Sequence, residues 1–477
     1  MRRRSFLRTG LAAGVALSVS ATAATGAPAA TQDSTSNVSS TPQDATPSSY
    51  EPLGRVEIDR AAETVVGDDG EIAYVATTTG FATVDVSDPA DPTVLAREGG
   101  ITVDGTPLIE ILDVEVDGDR LVVPGPANPT SAEVFYGFCC YDVSDPADPT
   151  TAIDPYETGF HIHNCYLEGD RLFVVSNGPP PAANELVIFD LGDDTVTERG
   201  RWSLLDYDST WEDLYWLARY VHDVYVQDDI AYLPFWNAGT YLVDVSDPDA
   251  PAYVSHVVDP ELDRDEQRTL DDETAQFSLP GNDHYAAVDD TGDLMAVGRE
   301  AWATGSDDPD GAGGIDLYDV SDPTEPTRRA SIDAPAADDE SYRGGTWTTA
   351  HNFELRNGRL YSAWYQGGVK IHDVSDPADP TELAAWRDAE TTGFWTARIL
   401  DPETAFVASS TDVIPKAGTT GELVTFPTDP DSGDTESDSS DGGAIGESIP
   451  GFTAATGATG LAGGMVGAAW LRRRLRS

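Results

Sequence analysis

The sequence predicts an all-β fold: a seven-bladed β-propeller of four-stranded antiparallel blades, its ring closed by an N-terminal strand. Three observations carry that expectation. The segment Asp-Val-Ser-Asp-Pro recurs at Asp85, Asp142, Asp244, Asp319 and Asp373, with degenerate copies at 189–193 and 424–427. Each unit holds short apolar strands parted by Gly, Asp and Pro turn residues, and no helical periodicity competes with them. The seventh unit stops after its third strand near Phe426, while residues 51–56 read as an orphan fourth strand. Pairing those two pieces removes both open edges.

Five segments follow one another along the chain. Residues 1–29 carry Arg3 and Arg4 within a basic start, an apolar stretch from Leu11 to about Ala24 and the small-residue site Ala27-Pro28-Ala29. This order of charged, apolar and small residues is that of an export signal. Residues 30–49 form a low-complexity linker, and 50–427 hold the propeller. Its fourth unit is typical: 221–226 alternates, Gln227-Asp228-Asp229 turns, and 230–235, 239–245 and 252–258 supply three more strands. Residues 428–449 read as an acidic Ser/Asp/Gly stalk. Residues 450–477 begin Pro450-Gly451-Phe452, continue through an uncharged stretch from Thr453 to Leu471 and end in an Arg cluster. That stretch is long enough to span a bilayer, with the Arg cluster inside.

Charge narrows the function. The 477 residues hold 84 Asp+Glu against 28 Lys+Arg, a formal net charge of −56. Nucleic acid is excluded as a partner, because phosphate backbones need a basic patch. Molar salt shortens the Debye length to about 3 Å and screens such self-repulsion, so the composition fits a protein of brine. Three Cys exclude a disulfide-stapled scaffold.

Several segments resemble known families. The apolar runs ending in Asp before each turn, such as Tyr241-Leu242-Val243-Asp244, resemble the LVIVD repeat of archaeal and bacterial cell-surface proteins. That family implies a propeller and no settled activity. Arg3-Arg4 followed by Ser5-Phe6-Leu7 resembles a twin-arginine signal, which implies export in the folded state by the twin-arginine translocase. The C-terminal order resembles the PGF-CTERM sorting signal of haloarchaea. It implies an archaeosortase as processing partner and a membrane attachment on the outer face of the cell envelope.

Within the propeller, the A–B and C–D turns are short and alike, whereas all long insertions fall in the B–C and D–A loops. Strand order puts those two classes on opposite faces. The looped face is therefore the expected working face. His163, His222, His284 and His351 start strand A of successive units, beside Asn164, Asp223, Asp283 and Asn352; Thr64, Leu112 and Thr396 hold the position in the other units. Two readings stand. Converging imidazoles suit copper or zinc, with Cys165, two residues from His163, as a further soft ligand. Alternatively each His ties its strand to the neighbouring blade, since repeats copy structural positions. Cys165 also reads as a simple buried thiol; Cys139 and Cys140 point to opposite faces, and export would permit one of them to pair with Cys165 in a disulfide. The 202–220 loop gathers Trp202, Trp211, Tyr215 and Trp216 and reads as a recognition surface or a lid. Asp307-Asp308-Pro309-Asp310-Gly311 has the look of a calcium loop. No nucleophile elbow, phosphate loop or dinucleotide fingerprint occurs. The leading expectation is a non-enzymatic, surface-anchored binding protein with Trp202, Trp211, Tyr215, Trp216, Asp223 and Asn352 at its ligand, a protein or a glycan. The alternative is a metal-dependent enzyme, an oxidase among the candidates.

Overall fold

The repeated turn forms because its two aspartates replace missing backbone partners. The Asp85 carboxylate accepts the Ser87 amide at 3.0 Å and the Ser87 hydroxyl at 2.6 Å, and Asp88 accepts the Ala90 amide at 3.0 Å. The same pair of bonds recurs at Asp142–Ser144, Asp319–Ser321 and Asp373–Ser375. The next Val then donates its amide back to the A–B turn region of its own blade. Val143 bonds the Asp119 carbonyl, Val245 that of Asp229 and Val374 that of Gly358, each within 2.9 Å. Both turn classes are thus laced together on one face, and the long loops are left to the other.

A computed structural model describes residues 50–429 except 131, 179–182, 261, 263–275, 306–309 and 416. Each of seven sheets has four antiparallel strands. Blade 1 comprises Thr64–Val66, Ile72–Ala76, Gly80–Asp85 and Thr93–Gly99. Blade 2 comprises Glu115–Asp117, Arg120–Gly125, Gly137–Asp142 and Thr150–Glu157. The innermost strands of blades 3 to 7 are His161–Glu168, Tyr225–Gln227, Asp283–Val288, Phe353–Arg356 and Phe394–Asp401. His222 and His351 stand just ahead of their strands, yet each amide still bonds the second strand, at Pro234 and Ala363. The export motif Arg3 and Arg4, the sorting motif Pro450, Gly451 and Phe452, and most of the stalk lie outside the described residues. Among the described residues no helix is long and apolar enough to cross a membrane.

Closure follows the sequence expectation. Gly54–Glu57 pairs with Glu422–Pro427 and completes blade 7, with Gly54 opposite Thr425 and Glu57 opposite Glu422. The Tyr50 hydroxyl adds a bond to the Pro427 carbonyl at 2.6 Å. Gly54 admits no side chain, because a Cβ there would meet the Pro89 carbonyl at 2.6 Å. The closing strand therefore packs flat on the turn of blade 1.

The core is divided among the blade interfaces. Phe173, Ile188, Val224 and Leu233 pack between blades 3 and 4, and Val75, Val84, Val407 and Leu423 between blades 7 and 1. Each sheet is apolar on both faces and buries both against its neighbours.

Removing residues 1–57 deletes the closing strand. The truncated protein is expected to melt lower by about 5 °C or more and to self-associate through the bared edge at Glu422–Pro427. Thermal circular dichroism and light scattering in molar salt measure both effects.

Candidate functional site

The inner strands stack their side chains in layers down the central channel. Counted back from the A–B turns, the upper layer holds Ala62, Leu112, His163, His222, His284, His351 and Trp395. The layer below holds Glu63, Asp113, Asn164, Asp223, Tyr285, Asn352 and Thr396. This corrects two expected positions: Trp395 takes the place expected for Thr396, and Ala62 the place expected for Thr64. Thr64 instead occupies the core-facing position that Val114, Val224 and Phe353 hold elsewhere. His284 lies further from its second strand than its counterparts because the blade 5 turn, from Asp289 to Leu294, is longer.

The four histidines touch in series. Ring centroids lie 4.1 Å apart for His163–His222, 3.8 Å for His222–His284 and 4.4 Å for His284–His351. The outer two are tied to backbone: His163 Nδ1 lies 3.0 Å from the Ala127 carbonyl and His351 Nδ1 2.6 Å from that of Trp395. Of the inner two, His222 lies against the backbone of His284, and His284 Nδ1 has no hydrogen-bond partner. Burial lowers the basicity of all four, to about 4 at His163 and about 3 at His351 and well below the usual value at the inner pair. The imidazoles are thus neutral at pH 7, the form that binds metals.

Glu300, which the sequence did not single out, faces the inner pair. Its Oε2 lies 3.7 Å from His284 Nε2, and its Oε1 accepts the Tyr365 hydroxyl at 2.5 Å. Burial pushes its carboxyl up to about 7. One ligand atom each from His222, His284 and Glu300 all lie within 4.8 Å of one another. Above them opens a cavity of about 480 Å³, walled by Trp216, Trp302, Tyr342 and Trp347 from the long loops, Trp236 from a short turn and Trp395 from the innermost strand of blade 7.

Two residues in short turns of this kind have a left-handed backbone. Trp236 and Tyr365 both have φ of 46°, and Thr78 has φ of 60° at the matching place in blade 1. Such a conformation costs a bulky residue of order 1–3 kcal/mol. Each of the three bridges to the next blade, at Asp283, Phe394 and Ile111, and those bridges hold it in place. The sequence did carry a signal for the aromatic pair: Phe235-Trp236 and Trp364-Tyr365 each precede a Gly-containing turn at equal spacing from the second strand.

The lower layer is anionic. Arg398 bonds Glu63 at 2.9 Å, the Tyr285 hydroxyl at 3.0 Å and the Phe353 carbonyl at 2.9 Å. Asn352 donates to the other Glu63 oxygen at 2.6 Å. Asp113 accepts the Cys165 amide at 2.7 Å and Asp223 the Val224 amide at 2.7 Å. Burial, then the nearby Glu63, pushes Asp113 up to about 7, and Asp223 and Glu115 are raised as well. Asp113, Asn164 and Asp223 line a second cavity, of about 550 Å³, that opens toward the A–B turns.

Several expected ligands are therefore parted from the histidine layer. Asp223 faces the lower cavity, and Asn352 serves the Glu63–Arg398 network. Cys165 does not join His163, because a bulge between Ile162 and Cys165 breaks the two-residue alternation. Its thiol is buried between blades 2 and 3 with Phe138 and Cys140. Of the readings left open for the cysteines, the buried thiol is the one seen: Cys139, Cys140 and Cys165 are free and buried. Trp202 and Trp211 belong to the core between blades 3 and 4. Trp216 reaches the cavity, and Tyr215 packs beside it with ring centroids 6.2 Å apart. In the proposed calcium loop Asp307 and Asp308 lie outside the described residues, while the Asp310 carboxylate accepts the amides of Thr304 and Gly305 at 2.8 and 3.0 Å.

Comparison with known proteins agrees on architecture. A family model described as LVIVD repeat matches residues 69–97 and 218–259, in blade 1 and around blade 4. No curated protein matches the chain. Among solved structures, the Cps50 (Swd1) β-propeller domain of Myceliophteria thermophila superposes with a TM-score of 0.52 at 7% identity, covering 79% of this chain and 99% of that one. Likeness at that identity concerns the fold alone. The chain is a β-propeller with LVIVD repeats.

Arg398 is the one guanidinium bonded to this carboxylate layer among the described residues. Arg398→Met leaves Glu63 buried without its cation and is expected to cost about 3–5 kcal/mol in chemical denaturation. Adding Glu63→Gln should recover part of that loss.

Proposed function

We propose that this propeller is a binding protein displayed outside a halophilic archaeal cell, taking the end of a glycan into the aromatic cavity of its looped face. One observation carries the reading: loops from several blades converge their indole and phenol rings on one cavity of about 480 Å³. That volume is in the usual range for a compact ligand and far below a protein–protein footprint. A sugar presents apolar ring faces to such walls and hydroxyls to polar groups. Asn128, Gln276 and Glu300 supply the polar groups here. The A–B turn face, uniform from blade to blade, then serves as scaffold.

The location rests on the chain ends and on charge. Arg3 and Arg4 within a signal-like start favour export through the twin-arginine translocase. Pro450-Gly451-Phe452 with its apolar stretch and Arg cluster favours archaeosortase processing and a C-terminal membrane anchor. A net charge of −56 favours an environment of molar salt. The acidic stalk would hold the propeller clear of the membrane.

Tryptophan fluorescence titrated with a panel of oligosaccharides tests the ligand class. A saturable shift is expected, weakened about tenfold by Trp216→Ala or Trp395→Ala. No response to any oligosaccharide, or equal responses in the variants, overturns the glycan reading. In a haloarchaeal host, Arg3→Lys with Arg4→Lys is expected to retain a full-length precursor in the cytoplasm, detected by cell fractionation and immunoblotting.

A further inference from the structure

We propose that His222, His284 and Glu300 form a mononuclear site for a divalent first-row transition metal ion at the floor of the aromatic cavity. The four histidines are equivalent in sequence position, but the structure divides them. His163 and His351 direct Nδ1 to backbone carbonyls and His222 lies against the backbone of His284, whereas His284 keeps Nδ1 without a hydrogen-bond partner although it is only 1% exposed. A buried polar atom left unmatched is costly. It sets His284 apart from the outer pair, and the same ring turns its Nε2 to Glu300. The inner pair is also the one that meets a carboxylate, with all three ligand atoms within 4.8 Å.

The donor set fits the ion. Two neutral imidazoles and one carboxylate suit Fe²⁺, Co²⁺ or Zn²⁺, and the absence of a thiolate from the set disfavours a soft Cu⁺ site. Metal–ligand bonds of about 2.0–2.1 Å would draw the donors to roughly 3.3 Å apart. The His284–Glu300 pair, at 3.7 Å, is already near that spacing. The Tyr365 hydroxyl holds the other Glu300 oxygen and fixes the carboxylate from behind. His222 stacks on Trp236 with ring centroids 5.2 Å apart, which fixes its plane. Three protein ligands leave coordination positions open, and these face the cavity that all three residues line. A ligand entering there can complete the sphere with an oxygen or nitrogen donor.

The site uses the cavity of the glycan reading without depending on it. The test is a Co²⁺ titration of the metal-stripped full-length protein in molar KCl, read by visible absorption and by bound-metal analysis. One equivalent per chain is expected, with the d–d bands of nitrogen ligation, displaced by Zn²⁺. Glu300→Gln should weaken binding at least tenfold, and His284→Asn should remove the bands. His163→Asn should bind like the wild type. Thermal melts of the stripped proteins check folding; should His284→Asn fail to fold, the near-isosteric Glu300→Gln decides. Wild-type protein without the bands, or bands unchanged in Glu300→Gln, overturns the site. Metal taken up without the bands is surface carboxylate binding and overturns it equally. A Trp216→Ala protein that loses oligosaccharide response but keeps the cobalt bands separates the two readings.

Discussion

Everything in this molecule depends on the face-to-face burial of neighbouring blades. No sheet has a solvated apolar face to spare, and no blade has a core of its own. Each interface, such as Val75 and Val84 against Val407 and Leu423, needs both partners. A stack of this kind is stable only when its first and last members meet. The strand at Gly54–Glu57 makes them meet by lending blade 7 its missing edge. The two ends of the propeller are thereby tied together, and the channel becomes a closed polygon in which equivalent residues must face one another.

That closure turns a linear repeat into chemistry. One position per blade, repeated around the ring, becomes a layer. Four of the seven places in the upper layer are neutral imidazoles; the lower layer is mostly carboxylates and amides, bonded by one guanidinium, that of Arg398. Desolvation acts in opposite senses on the two. It favours the neutral form of the histidines and raises the carboxyls of the acids, in a chain that as a whole carries −56. Arg398 is the exception, held charged by Glu63 and by the ring of Tyr285.

Much of this was legible in the sequence, because it is repeated. The turn segments reveal seven units, and their Asp and Ser side chains form the same bonds wherever they occur. Histidines at matching offsets do converge. What could not be read was local departure from the repeat. The bulge before Cys165 turns its thiol away from His163. The loop holding Trp202 to Trp216 looks uniform in composition, yet Trp202 and Trp211 fill the interface between blades while Trp216 reaches the cavity. Glu300 was hidden for a different reason. Among 84 acidic residues nothing marks one carboxylate, and only the fold brings it to two imidazoles.

The left-handed residues of the short turns have a consequence for how such a chain can diversify. Thr78, Trp236 and Tyr365 each stitch one blade to the next from the short turn between its second and third strands. The long insertions lie in other connections, so they can lengthen, shorten or change composition without loosening these stitches. New specificities can therefore accumulate one loop at a time, by insertion or by grafting, while the frame beneath them is inherited intact.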